Sequence, residues 1–281
     1  MNIAEALKYG DATLNHSESP DIDSKVLLCH VLACESSYFH TWPDKELSAK
    51  QETNFKELIL QRQQGKPVAH LTGQRGFWSL DLKVTADTLI PRPDTELLVS
   101  LALEKITVKM KIADLGTGSG AIGLSLAQED PSVTVFASDA SWAALEVAKY
   151  NAVKYQLKNV QFWNGLWLDA IIDNCLDMVV SNPPYIEAND AHLSQGDVRF
   201  EPMSALASGV DGLDDIRQII VQAKRCLKPS GWLFIEHGYH QAQQIMALFT
   251  DAGFRQISSH QDYGDNDRVV MGQLPLYTHN Q

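Results

Sequence analysis

Basic charge is scarce in this 281-residue chain, where 23 Lys and Arg stand against 35 Asp and Glu for a formal net charge of −12. A protein that grips duplex DNA needs a basic face, because neutralising phosphates supplies much of the affinity. Direct, sequence-specific binding of nucleic acid is therefore not expected, and an acidic surface instead suits a basic macromolecular partner. Long apolar runs are also missing: no stretch approaches the ~20 residues that cross a bilayer. Met1-Asn2-Ile3-Ala4-Glu5 has no basic region and leads into no apolar segment of the kind that directs export. A cytoplasmic protein without membrane contact is expected, and a monomer. The cysteines are few and scattered, at 29, 34, 175 and 226, with no CxxC pair. That spacing excludes a disulfide framework and leaves reduced thiols. Internal repeats and low-complexity tracts are absent.

What is present is a core-forming composition, 44% apolar, long enough for one large domain and a small one. Residues 1–74 read as a small helical bundle. Ile3, Ala6, Leu7, Gly10 and Leu14 recur at helical spacing, Ser19-Pro20 supplies an N-cap and an N1 proline for a second helix, and Ser48-Ala49-Lys50-Gln51 is a capping box. In that last helix Glu52, Glu57 and Arg62 read as a solvated face, and Gly65-Lys66-Pro67 ends it. Residues 75–92 read as a β-hairpin linker: alternation from Gly76 to Val84 predicts a strand, with Leu89-Ile90 returning as its partner.

Residues 93–281 then alternate strand and helix, the mark of a doubly wound α/β sheet. Strands are expected at 112–115, 133–138, 160–163, 178–181 and 232–236, and helices at 121–128, 142–156, 215–226 and 240–252. Gln256–His260 and Arg268–Met271 flank Gly264-Asp265-Asn266-Asp267, so the tail is an antiparallel hairpin at one end of the sheet.

Two loops carry the chemistry. Gly116-Thr117-Gly118-Ser119-Gly120 follows the first strand and opens a helix, where alternate glycines admit a ligand close to the backbone. The same residues satisfy the dinucleotide fingerprint, so this loop alone does not separate NAD from another nucleoside cofactor. Asp139 ends the second strand, where a carboxylate accepts from both ribose hydroxyls; its structural alternative is a cap for the segment from Ser141. The second loop is Asn182-Pro183-Pro184-Tyr185. Two prolines cannot continue a central strand, so the chain stops at the carboxyl edge, where open α/β sheets bind ligands. There Asn182 and the Pro183 carbonyl offer two acceptors to an NH2 group. In a 3-2-1-4-5 strand order the two loops flank one crevice. S-adenosylmethionine beside an amide or amino nitrogen fits that pairing, and N-methylation is the expected chemistry.

The segments Pro67–Gly73, Leu89–Glu96, Asp114–Gly120, Ser181–Tyr185 and Gly196–Pro202 together resemble the HemK/PrmC family, the peptide chain release factor N5-glutamine methyltransferases. The resemblance covers nearly the whole chain, to Asp262–Asn266. It implies a class I S-adenosylmethionine-dependent methyltransferase of Rossmann-like fold, with an N-terminal bundle that recognises the protein substrate. It implies cofactor contacts at Gly116, Thr117, Gly118, Ser119, Gly120, Asp139, Trp167 and Asn182. It also implies a glutamine of the release factor Gly-Gly-Gln loop held by Asn182, Pro183, Pro184 and Tyr185, with Asn182, Pro183 and Tyr185 as the catalytic set. One position departs from the pattern: Leu166 stands where related methyltransferases place an acid that meets the adenine amine, leaving Asn164 or a backbone carbonyl for that role. Arg92, Asp94 and Glu96 are expected to fix the linker, and Arg199 and Glu201 to pair with each other or hold a flap. His237-x-x-His240 has a metal-like spacing but no third ligand, so no metal is expected. The competing readings are methylation of a ribosomal protein glutamine or of adenine in DNA, and a non-catalytic nucleoside-binding module.

Overall fold

The computed structural model describes residues 1–276, so the last five residues of the expected 93–281 domain lie outside the described residues. The chain forms two compact units, Met1–Gln74 with Ser194–Phe200, and Arg75–Leu193 with Glu201–Gln281.

The first unit contains α1 (Ile3–Thr13), α2 (Pro20–Leu32), α3 (Ser37–Thr41), α4 (Ala49–Gln63) and α5 (Val68–Thr72). Its core gathers Ile3, Ala6, Leu14, Leu27, Leu28, Phe39, Leu47, Phe55 and Ile59. A Cβ at Gly10 would come within 2.5 Å of Ser24 Oγ, so α1 and α2 approach as closely as they do because position 10 has no side chain. The capping box forms at Ser48–Gln51. Ser19 precedes α2 but makes no capping bond to the helix backbone, because its hydroxyl turns to Asp23 instead. Arg62 is not on a solvated face. Its side chain is 14% exposed, with Nε donating to Asp23 Oδ2 and Nη1 to Asp197 Oδ1, each at 2.7 Å. Glu52, also read as solvated, is only partly exposed and pairs with the N-terminal amine and Lys56. Helical spacing cannot reveal such partners, since Asp197 lies far away in sequence.

In the second unit, β1 (Gln74–Phe77) and β2 (Leu80–Lys83) pair as a hairpin. Leu89-Ile90 is not the returning strand. The expected single strand is two, because Trp78 turns through the left-handed region at φ +54° and the alternation runs on across the turn. A short 3-10 turn, Pro93–Thr95, leads into α6 (Glu96–Leu103). There follow β3 (Lys111–Leu115), α7 (Ala121–Glu129), β4 (Thr134–Asp139), α8 (Trp142–Lys154), β5 (Val160–Asn164), β6 (Leu176–Ser181), α9 (Asp214–Cys226), β7 (Leu227–Glu236), α10 (Ala242–Ala252), β8 (Arg255–Gln261) and β9 (Asp267–Gln273). Helix α10 starts two residues later than expected, with His240 outside it.

The seven strands lie in the order β5-β4-β3-β6-β7-β9-β8. The first five are parallel, in the 3-2-1-4-5 arrangement expected, and β9 joins antiparallel to both β7 and β8. The central strands are covered on both faces, as parallel strands must be. Ile112, Met178, Val180 and Phe234 pack into the layer that holds Leu98 and Leu124. Their neighbours Ala113, Leu115, Val179 and Leu233 pack into the opposite layer, with Ile216, Ile219, Ile245 and Phe249. Register places Leu115 beside Ser181, and the Ser181 hydroxyl donates to the Leu115 carbonyl at 2.8 Å. The glycine loop and Asn182 therefore leave the sheet side by side.

Candidate active site

After β3 the chain turns at Gly116, Gly118 and Gly120, with φ of +68°, +57° and +90°. Only glycine holds that region without strain. A Cβ on Gly116 would also meet the Trp167 ring at 3.3 Å, whereas at Gly118 nothing lies nearer than 4.0 Å. Asp114 braces the loop from behind: its Oδ2 accepts from Thr117 Oγ1 at 2.6 Å and from the Gly123 N–H at 2.9 Å. The carboxyl is fully buried, and burial pushes it up to about 6.

Asp139 ends β4, and its carboxylate ties the glycine loop to the segment that begins at Ser141. Its Oδ1 accepts from the Ser141 N–H at 2.8 Å and its Oδ2 from the Gly118 N–H at 2.9 Å. Its remaining lone pairs border a cavity of about 400 Å³. Gly116, Thr117, Gly118, Ser119, Trp167, Asn182 and Pro184 also line that cavity, whereas Gly120, Pro183 and Tyr185 are not in its wall. Gly120 is the residue before α7. Tyr185 packs into the core beside α9 and α10; its carbonyl accepts from Gln241 Nε2 at 3.0 Å, and burial raises its phenol.

Asn182 Nδ2 donates to Thr95 Oγ1 at 3.2 Å, and both side chains act on the carboxyl of Glu236 at the end of β7. Glu236 is 1% exposed, and burial pushes it up to about 7. Arg92 and Glu201 form an ion pair in which Glu201 also accepts from the Ile90 N–H at 3.0 Å. Arg199 donates to the Gln64 carbonyl at 2.9 Å, so Arg199 and Glu201 take different partners instead of pairing with each other. His237 Nδ1 meets the Gly238 carbonyl at 2.8 Å, and among the described residues no group of three His, Cys, Asp or Glu is arranged to hold a metal.

The folded values of about 6 for Asp114 and about 7 for Glu236 lie above the ordinary 3.8 and 4.5. Protonation therefore favours the fold. The stability tied to these carboxyls is complete below their unfolded values and lost as pH rises through 6 and 7. Urea midpoints measured between about pH 4.5 and 7.5 should respond less steeply to pH in Asp114→Asn than in the wild type; equal slopes would remove this account.

Residues 5–73 match the family model described as PrmC N-terminal domain, and residues 93–198 match the methyltransferase small domain. The chain is 47% identical over 277 residues, 97% of each protein, to the release factor glutamine methyltransferase of Vibrio cholerae serotype O1. It is 46% identical over 263 residues, 93% of each, to that of Aliivibrio fischeri. The chain belongs to the release factor glutamine methyltransferase family. A solved methyltransferase from Pyrococcus furiosus, 16% identical with a TM-score of 0.55 over 80% of this chain and all of that one, shares the fold.

As a member of this family the chain is an S-adenosylmethionine-dependent methyltransferase. The site fits that cofactor. The space over Gly118 is open, with nothing nearer than 4.0 Å to a Cβ there, and the carboxylate of Asp139 lines the cavity beside it. Leu166 lines the cavity and is 45% exposed. Asn164 is not among the residues that line the cavity, and its Nδ2 donates to the Asp139 and Ala140 carbonyls at 2.9 and 3.0 Å. Leu166→Asp should therefore give the adenine amine an acceptor and tighten cofactor binding by up to about 1 kcal/mol, read by calorimetry. Weaker binding would mean that another group already serves the amine. Sequence reasoning missed other parts of the wall, among them Asp87, Thr88, Ser204, Ala205 and Ala207, because these are loop residues with no local signature. Glu236 is expected, with His237 and Gly238, to end the fifth strand near enough to the crevice to line it; it is not in the cavity wall, and its place beside Thr95 and Asn182 was not foreseen. The one signal for it is an acid at the end of the apolar run Leu233-Phe234-Ile235, where a strand core would otherwise continue.

Proposed function

We propose that this chain transfers a methyl group from S-adenosylmethionine to the side-chain amide nitrogen, N5, of the glutamine in the Gly-Gly-Gln loop of peptide chain release factors. The observation that carries the reading is the state of Asn182. Its Nδ2 is occupied by Thr95, so Oδ1 remains as acceptor in the wall of the cavity that the glycine loop and Asp139 enclose. When bound, S-adenosylmethionine supplies an electrophilic methyl on a sulfonium.

The chain's own residues supply position and charge. Asp139 and the Gly116–Ser119 backbone fix the nucleoside, and Trp167 closes over Gly116. Asn182 Oδ1 accepts from one hydrogen of the incoming amide and turns its nitrogen toward the methyl; the second hydrogen is assigned to the Pro183 carbonyl, although of the loop's two prolines only Pro184 lines the cavity. Those acceptors also stabilise the positive charge that grows on nitrogen as its lone pair leaves the carbonyl. Alignment is the larger contribution, since orienting two reactants can lower a barrier by ~7–11 kcal/mol. No strong base is needed, because an alkylated amide nitrogen sheds its proton readily. The helical unit serves as the grip on the protein substrate, converting remote binding into placement.

The net charge of −12 favours a protein substrate over DNA. Among the described residues no helix is long and apolar enough to cross a membrane, and we place the enzyme in the cytoplasm with its substrate, acting as a monomer. The test is methyl transfer offered to release factor, ribosomal protein and DNA in parallel, followed by peptide mass spectrometry. One added methyl on the release factor glutamine is expected. A methyl found only on DNA or ribosomal protein, or on no substrate, would defeat the reading.

A further inference from the structure

Glu236 is a buried carboxyl that the reaction as described does not use. It is not among the residues that line the cavity. The register that pairs Ser181 with Ile235 brings Glu236 beside Asn182 at the ends of adjacent strands; Thr95 and Asn182 act on its carboxyl, while its Oε2 is buried with no partner among the described residues. Thr95 is itself 4% exposed, and its Oγ1 accepts from the same Asn182 Nδ2. The charged groups that act on the carboxyl are Arg268 from β9 and Asp94 from the turn before α6, of opposite sign.

An Asn side chain is nearly symmetric in shape, and only its hydrogen-bond partners decide which end is oxygen. Here two acceptors surround one end. Flipping the amide would set Oδ1 against the Glu236 carboxyl and the Thr95 oxygen, while presenting Nδ2 donors to the incoming substrate NH2. Such a flipped Asn182 would repel a primary amide and welcome a carboxylate.

We propose that Glu236 is a positioning residue for methyl transfer: together with Thr95 it locks the Asn182 amide so that Oδ1 alone faces the substrate. This rests on the reaction assigned above. It explains why a strand otherwise built of Leu233, Phe234 and Ile235 ends in a fully buried acid, which is costly unless something needs it.

The test compares Glu236→Leu and Glu236→Gln in the full chain, with release factor as substrate. Leucine removes the acceptor but fills the space, and replacing a buried charge by an apolar side chain is often neutral or stabilising. Glu236→Leu should therefore lose roughly 10- to 100-fold in kcat, while its thermal midpoint equals or exceeds that of the wild type and its S-adenosylmethionine affinity stays within about threefold. Glu236→Gln keeps one acceptor oxygen and should recover kcat to within about fivefold of the wild type. Thr95→Val should fall in the same direction, and the Thr95→Val, Glu236→Leu double variant should lose less than the product of the single losses, because both act on one amide. A folded Glu236→Leu with wild-type kcat overturns the proposal. So does a loss that parallels falling stability and cofactor affinity. If the wild-type chain methylates no glutamine at all, the reaction assignment itself fails, and that outcome is distinct from either.

Discussion

Asn182→Ala should lower kcat by on the order of 10²- to 10³-fold, the range seen when one aimed polar group is removed from a reacting centre. The same variant should bind S-adenosylmethionine with affinity within a few-fold of the wild type. The separation follows from the geometry. Asn182 contributes a single side chain to the cavity wall, while the glycine loop, Asp139 and Trp167 line it from other elements. Truncation takes away the acceptor that turns the substrate nitrogen, together with the partner of Thr95, but leaves the loop braced by Asp114 untouched. Single-turnover kinetics with release factor, alongside calorimetry with cofactor alone, measure the two quantities independently. If turnover survives within a few-fold, the amide is not held by Asn182.

Asp139→Ala should have the opposite profile, a loss of cofactor affinity of about 2–3 kcal/mol, or roughly 30- to 150-fold. Two effects contribute. The ribose hydroxyls lose a charged acceptor, and the Gly118 and Ser141 N–H groups lose the oxygens they now meet at 2.9 and 2.8 Å. Asp139→Asn keeps one oxygen and should lose less. Unchanged affinity in Asp139→Ala, or tighter binding of NAD than of S-adenosylmethionine, would remove the cofactor assignment.

The parts of the fold that could be read from sequence are those whose signal is local. The strand order around β3 and β6 followed from alternating strand and helix patterns, and the position of the site followed from a glycine loop on one strand end and two prolines on the next. The β8–β9 hairpin was visible in a turn sequence between two extended runs. What was not visible depends on partners remote in the chain. The break at Trp78 hides inside an unbroken alternation, since a two-residue turn preserves the period. Arg62 looked solvated because its second carboxylate comes from Asp197. Tyr185, which the family resemblance gives as a substrate contact, is partly buried against the core layer of α9 and α10. Thr95 and Glu236 belong to separate elements, and only the sheet brings them to Asn182.

The salt bridge between Arg62 and Asp197 joins residues 135 positions apart within one helical unit. Its consequence concerns the order in which the molecule is made. Chains fold from the N-terminus as they emerge from the ribosome, so the five helices are released long before the residue that completes their charge balance. Until position 197 is synthesised, Asp23 is the one carboxylate that Arg62 meets among the described residues. The bundle is thus first to appear but is completed only after most of the parallel strands have been made, and a chain halted after its fourth strand would carry an N-terminal unit that still lacks a piece.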